Sequence, residues 1–158
     1  MRWLAVYALG ALVACGDRAP EFSGIGQWRF TDSKLADVKR GKCQPTEVGV
    51  GRQGTWCFGN PPYQLGPNNA AVDLYFAGTE PTAPLIQIQL QVRGCDEQAL
   101  DRWITSNFGP AIERRTARAY WKNAFMWIAA QMPSQPGRCL VDLLPLTEQA
   151  EIARIKAR

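Results

Sequence analysis

Ile86-Gln87-Ile88-Gln89-Leu90-Gln91-Val92 puts an apolar side chain at every second position and glutamine between them. Side chains of a strand point alternately to opposite faces, so this period of two predicts a strand with one face in a core and three amides on the other. Upstream, Val72-Asp73-Leu74-Tyr75-Phe76 repeats the alternation, across a connection holding Gly78, Pro81 and Pro84. Two such segments predict antiparallel strands with a solvated face, where Asp73 and Tyr75 join the glutamines. Asp73 and Tyr75 are therefore candidates to hydrogen-bond a sugar or peptide, set against the commoner role of solvated positions.

Working outward, Asp96 is a good N-cap for a helix over 96–108, with an apolar stripe of Leu100, Trp103, Ile104 and Phe108 and a stop at Gly109-Pro110. Beyond it, Thr116–Trp121 and Ala124–Gln131 read as strands around Lys122-Asn123, and Leu140–Leu144 as another after Pro133–Gly137. A terminal helix starts from Thr147 as N-cap, with Ile152 and Ile155 inward. Before residue 70 the expectations are a strand at Gln27–Phe30, a helical turn at Ser33–Lys39, and a hairpin of Glu47–Val50 and Thr55–Phe58 around Gly51-Arg52-Gln53-Gly54. Asn60–Asn69, rich in proline, reads as an irregular loop that cannot continue a sheet. These elements predict an α+β fold: an antiparallel sheet packed on one main helix, with a short C-terminal helix.

The chain has 158 residues, 46% hydrophobic and 20% charged, with a net charge of +4 and no histidine. One domain is expected at that size. The lack of imidazole excludes Ser-His and Cys-His catalysis, haem on a proximal histidine and the usual catalytic zinc sets. Gly49-Val50-Gly51-Arg52-Gln53-Gly54 is formally G-x-G-x-x-G, with Asp73 downstream, but a dinucleotide loop must open a helix, and Thr55-Trp56-Cys57-Phe58 is β-prone. A hairpin turn is the expectation, with no cofactor and no metal.

Met1-Arg2, the uncharged stretch Trp3–Ala14 and the polar segment after Cys15 read as an export signal, too short to span a bilayer of roughly 30 Å. Its end, Leu12-Val13-Ala14-Cys15, resembles the lipobox of bacterial lipoproteins. That resemblance implies cleavage before Cys15 and acylation of its thiol; the alternative, cleavage at Ala14-Cys15-Gly16 by an ordinary signal peptidase, discards Cys15. Gly16 after the cysteine implies sorting to the outer membrane, facing the periplasm, with Asp17 one position later. The expected organisation is a signal at 1–14, a lipidated cysteine and tether at 15–24, and a single domain at 25–158. The remaining cysteines, Cys43, Cys57, Cys95 and Cys139, are even in number in an exported chain and form no C-x-x-C pair, which predicts two disulfides. Four cysteines allow three pairings; the favoured one joins Cys43 to Cys57, bracketing the hairpin, and Cys95 to Cys139, tying the start of the helix to a late strand.

Arg114, Arg115, Arg118 and Lys122 flank Tyr120 and Trp121, a mixture of cations and rings able to hold an anionic partner. An exported chain does not meet nucleic acid, so an anionic envelope surface is the expected counterpart, and a solvated basic edge is the bland alternative. Trp121, beside a turn, is the expected surface anchor. Glu97 and Asp101, four apart on the helix, suit its N-terminal dipole better than acid/base work. The sequence leads to a lipid-anchored, non-catalytic envelope module binding a protein or cell-wall partner. Two alternatives stand beside it: an inhibitor or immunity lipoprotein inserting Pro61–Asn69 or Pro81–Pro84 into an envelope hydrolase, and an enzyme acting on cell-wall glycan or peptide through carboxylates such as Asp73.

Overall fold

The computed structural model describes residues 22–158, so the expected signal, Cys15 and the tether up to Glu21 lie outside the described residues. Gly24–Ile25 (β1) and Trp28–Arg29 (β2) pair as a small ribbon, followed by a 3-10 turn at Leu35–Asp37. Then come β3 (Lys42–Val48), β4 (Arg52–Phe58), β5 (Tyr63–Leu65), β6 (Asn68–Phe76) and β7 (Leu85–Arg93). Helix α1 spans Glu97–Phe108. After it run β8 (Glu113–Arg115), β9 (Arg118–Lys122), β10 (Met126–Gln135), β11 (Arg138–Pro145) and α2 (Gln149–Ala157). Strands β3 to β11 form one antiparallel sheet in the order β3-β4-β6-β7-β11-β10-β9-β8, with β5 paired to β6.

The two faces of this sheet bury different partners. Val72, Leu74 and Phe76 of β6, Ile88 and Leu90 of β7, Val141 and Leu143 of β11 and Ile128 of β10 form the main core with Leu100 and Ile104 of α1. On the opposite face Tyr120, Trp127, Ala129 and Leu144 receive Ile152 and Ile155 of α2. Each isoleucine contributes roughly 1.5–3 kcal/mol on burial, which holds a helix of only nine residues that would not persist alone. Ion pairs fix its two ends: Arg52 to Glu148 at the start, and Lys156 to Glu113 at 3.0 Å near the finish. Phe22 is already part of the body, its ring edge-on to Phe108 at 5.4 Å and its carbonyl accepting from Asn123 Nδ2 at 2.9 Å.

The expected α+β class is overturned. The described residues are mostly β, 49% strand against 18% helical, with a nine-stranded antiparallel sheet and two short helices. Apolar alternation marks only strands that bury a face. β3 is almost wholly exposed and carries Pro45, and β8 is Glu113-Arg114-Arg115, so both take ladder hydrogen bonds without that signature. The stretch expected as a loop incapable of joining a sheet supplies β5, because Pro61 and Pro62 end before Tyr63 and the turn at Gly66 returns the chain onto β6. β10 and β11 continue through Pro133 into one long hairpin closing at Gly137, beyond the ends expected for either strand.

Local chemistry explains the turns. Gly49 and Gly51 take φ of 58° and 70° in the β3–β4 turn, a left-handed conformation that glycine adopts without steric cost, and Gly54 lies within β4. The G-x-G-x-x-G is therefore a hairpin. Asp96 Oδ1 accepts from Ala99 N at 2.9 Å, and Gly109 ends α1 with its N–H on Thr105 O. α2 starts one residue later than a Thr147 cap allows, from Glu148, with no side-chain cap. Disulfides join Cys43 to Cys57, opposite each other on β3 and β4, and Cys95 to Cys139, tying the entry to α1 to β11.

Candidate functional site

The register lays out the α2-side face as rows. Tyr120, Ala129, Asp142, Gln89 and Asp73 lie side by side across β9, β10, β11, β7 and β6. The row toward one end contains Gln87, Tyr75 and Trp56 in succession on β7, β6 and β4. The row toward the other contains Arg118, Gln131, Leu140, Gln91 and Ala71. α2 covers the β9–β10 side of this grid, and the β4–β6–β7 side remains open.

On the open part, Asp73, Tyr75 and the three glutamines come together. Gln87 and Gln89 both donate through Nε2 to Asp142 Oδ1, at 2.8 and 2.9 Å, and Gln91 donates to Asp73 Oδ2 at 2.8 Å. Trp56 stacks on Tyr75 with ring centroids 6.4 Å apart and planes 11° apart, and its other neighbour is Phe58 at 4.6 Å. Both acids are 5% exposed, so they are floor rather than rim. Desolvation raises the Asp73 carboxyl above its usual range, opposed by Gln91 and by the nearby Trp56 indole, whose Nε1 stops short of full hydrogen-bond geometry and has no partner among the described residues. Asp142 is raised by burial too, opposed by Gln89 and Gln87. Tyr75 is pushed up to about 12, by burial first and then by the acids Asp73, Asp142 and Glu151.

These groups leave an aromatic pair beside a row of amides. Each glutamine has its N–H bound inward, which sets its orientation, and its Oε1 makes no hydrogen bond among the described residues. The face can stack an apolar sugar surface or peptide side chain on Trp56 and Tyr75 and exchange hydrogen bonds alongside. Among the described residues no three His, Cys, Asp or Glu side chains group as a metal site requires.

The basic cluster behaves differently. Trp121 is fully buried, in the main core, and is not a surface anchor: along β9 residues 119 and 121 turn to the α1 face while 118, 120 and 122 turn to the other. Arg114 pairs with Asp101 at 3.0 Å and lies over the Trp121 ring. Arg115 pairs with Glu113 at 2.7 Å and, with Lys156, covers Tyr120. Glu113 is held below its ordinary range by Lys156 and Arg115. These cations seal two buried rings at the sheet edge, and Arg118 and Lys122 make no ion pair among the described residues.

Two other features bear on function. A cavity of about 590 Å³ near β2 is lined by Trp28, Arg29, Asp37 and Lys39, but Arg29 Nη1 is bound to the Gly26 carbonyl, Asp37 Oδ2 to Lys34 N and Lys39 Nζ to the Ala36 carbonyl. These three groups serve their own loop. The loops expected to project are tied down: Tyr63–Leu65 pairs with β6, and Ala83 O and Pro81 O accept from Leu35 N and Ala36 N.

The sequence reading missed Asp142 and Trp56. The available signal for Asp142 was a lone acid between apolar neighbours in Leu140-Val141-Asp142-Leu143-Leu144. No family model matches the chain, and no curated protein or solved structure matches it.

Proposed function

We propose that the protein is an exported, lipid-anchored, non-catalytic module of the bacterial envelope that binds a cell-wall glycan on the open sheet face of Trp56, Tyr75, Gln87, Gln89 and Gln91. The anchor is Cys15, in its lipobox-like setting, and Gly16 directs the protein to the outer membrane, facing the periplasm. More than one acyl chain makes such attachment durable, so the fold itself need not enter lipid. The observation that carries the binding assignment is the stacked Trp56–Tyr75 pair beside an amide row fixed from below by Asp73 and Asp142. Planar rings give contact area to the apolar face of a sugar, and oriented amides select its hydroxyl and acetamido groups.

The test is a pull-down from detergent-solubilised envelope, comparing the full lipidated chain with Cys15→Ser and Trp56→Ala and measuring bound glycan and protein separately. Glycan retained by the wild type and lost from Trp56→Ala supports the assignment. A stoichiometric protein partner without glycan overturns it in favour of a protein-binding module.

A further inference from the structure

The same sheet face ends in two arginines that face each other. Arg93 of β7 and Arg138 of β11 are direct register partners, one row beyond Gln91 and Leu140. Like charges directly opposite destabilise an antiparallel pair unless something neutralises them. Among the described residues neither guanidinium takes part in an ion pair or side-chain hydrogen bond; Arg40, Arg102 and Arg118 are unpaired too, but Arg118, which also faces an arginine in register, faces Arg115, and Glu113 neutralises that pair. Between them and the β10 bulge lies a groove of about 360 Å³, to which Gln91, Gln131, Ser134 and Gln135 contribute.

We infer that Arg93 and Arg138 form an oxyanion subsite, which makes the ligand of this face an acidic polymer bearing carboxylate or phosphodiester groups. The inference rests on the open sheet face being the glycan-binding face. A guanidinium offers a planar fork of N–H donors that matches either oxyanion in bidentate fashion, and the neighbouring amides supply neutral hydrogen bonds to the sugar carrying it. The subsite continues the Gln87-Gln89-Gln91 row, so one extended chain contacts the aromatic pair at one end and the arginine pair at the other. An anion between the two guanidiniums also removes their mutual repulsion.

The experiment is calorimetric titration of the full chain in detergent with polygalacturonate, poly(glycerol phosphate) and neutral chitin oligomers, repeated with Arg93→Gln/Arg138→Gln, with Trp56→Ala and with Arg115→Gln as a basic control. The expected result is that an acidic polymer binds more tightly than the neutral one, weakens by about tenfold or more in the double arginine variant and is unchanged in Arg115→Gln. Which acidic polymer responds identifies carboxylate or phosphodiester. The double variant also melts at a higher temperature than the wild type without ligand, because the opposed charges are gone. Acidic polymers binding no better than chitin, or losing equally from Arg115→Gln, overturn the subsite, and chitin binding that depends on Trp56 then leaves the glycan face standing. Acidic-polymer binding that survives Trp56→Ala unchanged and vanishes with the arginines retains the subsite and removes the aromatic pair from the assignment.

Discussion

Gln89 of β7 and Asp142 of β11 face each other across the strand pair, and the Gln89 amide donates to Asp142 Oδ1 at 2.9 Å. Gln87 donates to the same oxygen, so one buried carboxylate orients two amides of the candidate surface. Burial raises its proton affinity, and the two amide donors only partly offset this.

Asp142 therefore makes stability pH-dependent with a definite sign. Its folded value lies above the unfolded one, so its favourable contribution is complete below the ordinary value of 3.8 and is lost as pH rises through the folded value. An asparagine at this position accepts the same amide hydrogen bonds without a charge. The melting temperature of Asp142→Asn minus that of the wild type should be smallest near pH 4 and become more positive toward neutrality. A difference independent of pH would refute the raised proton affinity.

Trp121 and Trp56 should separate core from platform. Trp121 is 0% exposed, and its truncation to alanine removes a large side chain from the main core, at a cost of about 3–5 kcal/mol by the usual range for buried aromatics. Trp56 is half-buried on the open face, so Trp56→Ala should cost distinctly less stability while abolishing glycan binding. Denaturant melts of both variants, each with a binding assay, check this; equal destabilisation would place Trp56 in the core as well.

The parts legible in the sequence are those where burial leaves a period. β6 and β7 each bury one face and expose the other, so their alternation alone places Asp73, Tyr75 and the glutamines on one surface. Asp142 could not be joined to them, because Gln89 and Asp142 are 53 residues apart and only the insertion of β11 between β7 and β10 brings them together. The edge strand β8 and residues 42–46 of β3 were illegible for the opposite reason: they satisfy backbone hydrogen bonds without burying a side-chain face, and with β5 they supply strand that the α+β reading lacked. Trp121 misled because its neighbours in sequence are basic, while alternation along β9 turns it away from both adjacent residues. Arg93 and Arg138 carry no sequence signal as a pair, since only register makes them neighbours.

The two disulfides should contribute unequally. Cys43–Cys57 closes a separation of 14 residues and Cys95–Cys139 one of 44, and the chain-entropy relation assigns them about 3 and about 4 kcal/mol. The second also holds the entry to α1 on β11, so its loss frees an element the core depends on. Replacing Cys95 and Cys139 by alanine should lower the denaturation midpoint more than replacing Cys43 and Cys57, measured with the other bridge intact. The reverse order would mean that the edge hairpin, rather than the α1 junction, limits stability.

Asp73 distinguishes binding from turnover. Its carboxyl is buried and raised in proton affinity, properties that also occur in catalytic acids, yet Gln91 occupies Oδ2 and the role assigned here is to hold that amide in place. An asparagine in its place can accept the same hydrogen bond. Asp73→Asn should therefore keep its fold by near-ultraviolet circular dichroism and bind cell-wall glycan within about threefold of the wild type, less than the loss of a charge-assisted hydrogen bond would give. Neither protein should release reducing ends or free peptide from glycan during prolonged incubation. Release by the wild type that disappears in Asp73→Asn, with the fold intact, would make this carboxyl catalytic and replace the binding module by an enzyme.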